Sequence, residues 1–348
     1  MSLANQEDPI GTAGTVDHWL VFEMPQPWTE RMFREDPILK SLVELLKKLA
    51  FKHGLAVRPI LIASDREYSS PETTRALYYY RPQRLFSQFL KREFLVPSSH
   101  FPDFARAILG SLVEKSSQLD KFLPFERDTQ HVREILVCTH GNIDVACARF
   151  GFPIYKQLRS KYADRSEGQL RVWRCSHFGG HQFAPTLIDL PNGHYWGHIE
   201  PKLLDSLIYR QGNVEQLQMH FRGWAGLNKF EQIAERELWM KYGWVWLSWN
   251  RAGSTHRKGL RGLKAYLYRW LRLLPSRRVQ LFLEQWTKDA TWAKVQIEVE
   301  RPGRSEVEVH KIRVEQKGEV VTAFKSPKRG EKIELHSAPQ YRVIHMEK

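Results

Sequence analysis

Apolar and polar positions alternate along the chain in two rhythms, and the switches between them outline the elements. Residues 15–25, TVDHWLVFEMP, form an almost unbroken apolar run that stops at the turn-prone PQPW, which predicts a buried strand. A helical period follows in DPILKSLVELLKKLAFKHG, closed by Gly54, and LAVRPILIASD reads as a second buried strand. Strand, helix and strand in that order make a βαβ unit. ALYYYRP and the amphipathic RLFSQFLKREFLVP continue the alternation.

Residues 131–225 carry the clearest pattern. HVREILVC is a strand, the stretch from Asp144 to about Ala163 is largely helical, and LRVWRCS is a second strand. TLIDL and HYWGHIE flank the turn triplet Pro191-Asn192-Gly193, so they predict a hairpin. PKLLDSLIYRQG predicts a helix from Pro201 to a stop at Gly212. The order βα, β, ββ, α is that of a thioredoxin-like domain. Residues 228–290 read as helical, and the region up to Trp292 holds seven of the twelve tryptophans. From Thr291 onward WAKVQIEVE alternates strictly. Four further short runs separated by RPG, QKG, PKRG and SAP predict a small antiparallel sheet. No internal repeat is visible. The expected organisation is therefore α/β: an N-terminal α/β half over 15–125, a thioredoxin-like domain over 126–225, and a helical plus antiparallel β region over 226–348.

Composition narrows the class. The chain has 348 residues, 42% apolar and 12% aromatic, without a low-complexity tract, which suits about two domains with room for a small third. MSLANQEDPIGTAGT has neither the apolar core of a signal peptide nor an Arg-rich transit pattern, and no run of 18 apolar residues occurs, so a cytoplasmic location without a transmembrane segment is expected. Three cysteines do not make a disulfide framework, and in a reducing compartment cysteines near histidines point to metal or catalysis. The net charge of +14 divides as about +1 over 1–125, +2 over 126–225 and +11 over 226–348, so it belongs to the last third.

Chemistry concentrates in two loops. CTHGNIDVAC places Cys138 at the C-terminal end of one strand and Cys147 beyond eight residues, and SHFGGHQFAP places His177 and His181 just after the next. Both pairs fall at one end of the sheet, where α/β sheets assemble sites. Thiolate is a soft donor for iron bridged by sulfide, and neutral imidazole adds a ligand without charge. Gly179 and Gly180 would let backbone N–H groups approach inorganic sulfide, where a side chain would crowd a cluster. Two Cys and two His are also a zinc set, although zinc fingers separate their cysteines by about two to four residues. A thiol oxidoreductase is disfavoured because no C-x-x-C is present.

These residues resemble the sucrase/ferredoxin-like proteins, a branch of the thioredoxin-like 2Fe-2S ferredoxins. The stretch SHFGGHQFAPTLIDLPNGHYWGHIEPKLL is similar to the ferredoxin pattern of a second cysteine pair, Gly-Pro, a hairpin and a Thr-Pro-Glu helix start. Its later pair is His177 and His181, and WLVFEMPQPW resembles that branch's opening segment. The resemblance implies a 2Fe-2S cluster on Cys138, Cys147, His177 and His181, with the cysteines on one iron and the histidines on the other. It further implies a ferredoxin-like electron carrier, and since no substrate pocket can be read from the sequence no enzyme activity is assigned. Replacing two thiolates with neutral imidazoles brings the oxidised core to zero charge. The corresponding potentials are roughly −150 to +300 mV for bis-histidine clusters against about −400 mV for all-cysteine ones. Where the outer ring nitrogens reach solvent, electron uptake would be coupled to a proton. The zinc alternative is a binding module whose basic C-terminal region contacts nucleic acid or an acidic protein.

Cys175, two residues before His177, reads as a buried structural cysteine, and His140 as a neighbour of the site. His194 and His198 read as surface or packing residues. The run 251–278 has nine Lys and Arg and no acidic residue, with Leu260, Leu263, Leu267, Trp270, Leu271 and Leu274 on one face and Arg261, Lys264 and Arg272 elsewhere. A core-facing stripe with a solvated basic back is the plain reading. A redox partner protein, acidic and docking on this basic region, is the expected partner, with an anionic membrane as a further option and nucleic acid disfavoured.

Overall fold

Strands buried along most of their length shape the first half of the chain in a computed structural model that describes residues 2–113, 117–260, 262–304, 306–327 and 330–348. Strand β1 (His18–Glu23) is buried on both faces from Trp19 onward, as its unbroken apolar run requires. It leads through a short helix α1 (Met32–Glu35) to α2 (Pro37–His53). Asp36 caps α2 by accepting the Ile38 and Leu39 N–H groups at 2.9 Å, and Gly54 ends it at φ 66°. Strands β2 (Val57–Ile62), β3 (Thr73–Tyr80) and β4 (Leu90–Pro97) follow, then α3 (Phe101–Gly110) and the two-residue β5 (Glu126–Arg127). RLFSQFLKREFLVP thus supplies a strand.

The second half is β6 (Arg133–Cys138), α4 (Val145–Gln157), β7 (Leu170–Cys175), the hairpin β8 (Leu187–Leu190) and β9 (His194–Trp196), α5 (Leu204–Tyr209) and β10 (Phe221–Trp224). Helix α5 stops on Arg210, which takes the left-handed conformation at φ 51°, two residues before the expected Gly212.

Ten strands form one mixed sheet in the order β10-β9-β8-β6-β7-β2-β1-β3-β4-β5. Outward from its centre, β2-β1-β3-β4 and β7-β6-β8-β9 have the same order and the same directions: one parallel pair around a helix, then two antiparallel neighbours. No repeat is visible in sequence, yet the chain path repeats, because topology needs only the apolar pattern and not residue identity. The halves meet antiparallel through the pair Ile62 and Cys175, extended by Ala63 N–H to the Arg174 carbonyl and Ser176 N–H to the Leu61 carbonyl at 2.9 and 2.8 Å. A buried ionic network ties β3 and β4 to β6 and β7 across the two halves. Lys91 Nζ is 2.8 Å from Glu134 and 3.3 Å from Glu93, Arg171 is 2.9 Å from Glu93, and Arg75 also pairs with Glu93.

After α6 (Lys229–Tyr242), capped by Asn228 and Glu231, the expected helical stretch is interrupted by β11 (Asn250–Lys258). Its edge is captured by β12 (Trp292–Glu300), a long-range pairing that no local period announces. Two short helices, α7 (Gly262–Leu271) and α8 (Arg277–Trp286), lie between them, so the single basic helix expected over 251–278 is a strand and parts of two helices, with Arg261 outside the described residues. Strands β13 (Val307–Ala323) and β14 (Leu335–Glu347) complete a four-stranded sheet. QKG and SAP, expected as turns, lie inside these strands, the first as a register shift between Gln316 and Gly318. Within PKRG, Lys328 and Arg329 fall outside the described residues. None of the described helices is long and apolar enough to cross a membrane.

Candidate metal centre

Both candidate pairs arrive at the same end of β6 and β7. These strands run parallel with Cys138 opposite Cys175, so the loops that follow them emerge side by side. Asp144 caps α4, accepting the Ala146 N–H at 2.9 Å, and that start sets Cys147 in the first turn. Gly151 lets α4 lie against β6: a Cβ there would stand 2.1 Å from the Cys138 carbonyl oxygen.

Cys138, Cys147 and His177 bring their donor atoms within 4.8 Å of one another, and each thiol sulfur lies 3.7 Å from His177 Nδ1. Both cysteines are buried and His177 is half-buried. The thiols act as a coupled pair. Cys138 is held well below the usual thiol range by its hydrogen bond from Cys147, against burial and helped by His177, while Cys147 is pushed up by that bond, by burial and by the Cys138 charge.

His181, the fourth expected ligand, lies outside this three-donor group, its ring stacked on His177 with centroids 5.0 Å apart. Its two nitrogens are buried and neither makes a well-formed hydrogen bond among the described residues, the Phe324 backbone offering only a weak acceptor. Burial and the neighbouring His177 lower its pKa, so the ring is a neutral donor with free lone-pair capacity. Phe324 stands edge-on to it at 4.9 Å, and a cavity of about 780 Å3 opens alongside, walled by Phe150, Pro153, His198 and Phe324 among others.

Neighbouring groups hold the histidine loop. His140, buried, accepts the His177 backbone N–H on Nδ1 at 3.4 Å, so Nε2 carries the proton and donates to the Trp28 carbonyl at 3.2 Å. Gly179 and Gly180 sit at φ 98° and 80°. A Cβ at Gly179 would meet open space, so backbone conformation is the constraint there, whereas at Gly180 it would stand 2.4 Å from the Arg222 guanidinium. Arg222, fully buried, donates to the Gly179 carbonyl at 2.9 Å, the Thr12 carbonyl at 2.9 Å and Thr12 Oγ1 at 3.0 Å, and burial lowers its pKa to about 10.

Cys175 is fully buried in the core, with its thiol pushed up by burial and by the Cys138 charge, and it lies outside the three-donor group. His194 and His198 are buried, so of the two readings offered for them packing holds and surface does not. His194 Nε2 is 3.3 Å from Arg251, and His198 Nε2 is 2.9 Å from Ser2 Oγ. Arg222, Phe324 and Ser326 also bear on the site, and the two loop motifs carry no signal for them. Ser326 donates its N–H to Asp144 at 2.9 Å, and these bonds outweigh burial to hold that carboxyl below its usual range. The tip between β13 and β14 therefore reaches the site from the far end of the sequence, a contact without any local signature.

The donor set fits a metal group: two soft sulfurs and the His177 imidazole converge, with the buried His181 ring alongside. The sequence profile of the sucrase/ferredoxin-like family matches residues 9–223, and the chain belongs to that family. No curated protein and no solved structure matches it.

Proposed function

We propose that this chain is a ferredoxin-like electron carrier whose Cys138, Cys147, His177 and His181 hold a 2Fe-2S cluster, the cysteines on one iron and the histidines on the other. The observation that carries the reading is the convergence of the Cys138, Cys147 and His177 donor atoms, with the buried His181 ring stacked on His177. The shared order of β7-β6-β8-β9 and β2-β1-β3-β4 supports two thioredoxin-like halves, divided near residue 125, with the remaining region beginning near 226. When bound, such a cluster takes up and returns one electron at a time.

The protein's own groups set the conditions for that chemistry. Arg222 and His140 fix the loop, burial of both cysteines excludes water from the sulfur side, and Phe324 covers His181. His177 is the donor residue that reaches solvent, so proton exchange and the approach of a redox partner protein belong on its side.

Protein purified without oxygen should be reddish-brown and contain iron and acid-labile sulfide, and His177→Ala with His181→Ala should bleach it. A potential between pH 6 and 9 that falls with rising pH is expected at the half-exposed histidine, and a flat one removes the proton coupling. A second reading, structural zinc, is favoured by the compactness of the three donors. Colourless protein carrying zinc at one equivalent would decide for it.

A further inference from the structure

Helix α7 turns toward solvent the face that a core-facing stripe would bury. Leu263, Tyr266, Leu267, Trp270, Leu273 and Leu274 recur at helical spacing on α7 and the turn after it, and all are exposed, Leu263 by 72% and Trp270 by 58%. Tyr268 is its buried contact with the rest of the protein. Six large apolar side chains on one exposed face form a patch of a kind that marks an interaction site.

The charge around the patch says what covers it. Residues 251–278 hold nine Lys and Arg and no carboxylate. Arg251 and Arg277 are paired, with Glu235 and Asp17. Behind α7, a cavity of about 460 Å3 is walled by His256, Arg257, Lys258, Arg269 and Arg272 with no carboxylate in its lining. A second copy of the chain would set this positive field against itself. Nucleic acid would leave the four leucines unexplained, and an acidic protein reading charge alone would not require them. An anionic bilayer uses both: its interface takes up leucine, tyrosine and tryptophan while its headgroups attract the cations. With 10 residues, α7 is about 15 Å long and lies in that interface without crossing it.

We propose that α7 and the turn leading to α8 dock this chain on an anionic phospholipid surface, an activity independent of the metal centre. Full-length protein should float with phosphatidylcholine vesicles that contain phosphatidylserine and not with phosphatidylcholine alone, and added salt should release it. Leu267→Asp with Trp270→Asp should abolish flotation. Arg269→Glu with Arg278→Glu should weaken it at least tenfold, since each basic side chain near the surface contributes roughly fivefold. All four positions are exposed, so unchanged thermal melting of these variants keeps a loss of binding distinct from unfolding. Equal flotation with neutral vesicles, no flotation with either, or flotation untouched by the double aspartate variant would each overturn the proposal. So would a dimer in gel filtration that Trp270→Asp dissolves, because the patch would then be covered by a second copy.

Discussion

Replacing Gly180 by alanine should unfold the histidine loop where the same change at Gly179 only strains it. Both residues have positive φ, 80° and 98°, and a non-glycine residue held there costs about 1–3 kcal/mol. At Gly179 that is the whole effect, because a Cβ meets nothing within 4 Å. At Gly180 the new methyl would stand 2.4–2.6 Å from three atoms of the Arg222 guanidinium, which cannot swing away without losing its bonds to Gly179 and Thr12. Hydrogen bonds from a charged donor contribute about 1.5–3 kcal/mol each, so losing even two of these three adds about 3–6 kcal/mol. Gly180→Ala should therefore cost at least about 4 kcal/mol in urea unfolding followed by circular dichroism. Arg222→Ala removes the obstacle, so the two changes combined should cost clearly less than their sum. Equal costs for the two glycines, or strict additivity with Arg222→Ala, would refute the reasoning.

Three further outcomes follow from the same structure. Glu134→Ala leaves Lys91 buried with one fewer carboxylate and strips Trp173 Nε1 of the acceptor it reaches at 2.6 Å, so a loss of about 3–5 kcal/mol is expected in denaturant titration. Burial, reinforced by His220, lowers the His198 pKa to about 4 against 6.5 unfolded, so the unfolded chain binds the proton first. Stability present above pH 6.5 should then fall as pH drops toward 4, by up to about 3 kcal/mol from this ring, and His198→Gln should flatten that slope. Asp144→Ala removes the α4 cap and the Ser326 bond together, with an expected loss of about 1–3 kcal/mol. Hydrogen exchange at Ser326 should speed up in that variant.

Elements whose signals are local are legible along the chain. The βαβ units, the Pro-Asn-Gly hairpin and the ends of α2 follow from period, caps and turn residues, all read within about a turn of chain. The same logic made the two candidate pairs legible, since the ends of parallel neighbouring strands must lie together. Tertiary structure decided the rest. Residues 250–258 became a strand because β12 offers an edge that outweighs local preference. The expected core stripe of α7 faces solvent because Tyr268, and not the leucines, meets the protein. Arg222 and Phe324 belong to the site through contacts 40 to more than 140 residues away along the chain. Such contacts depend on how finished elements pack, and packing leaves no mark on the residues beside them in sequence.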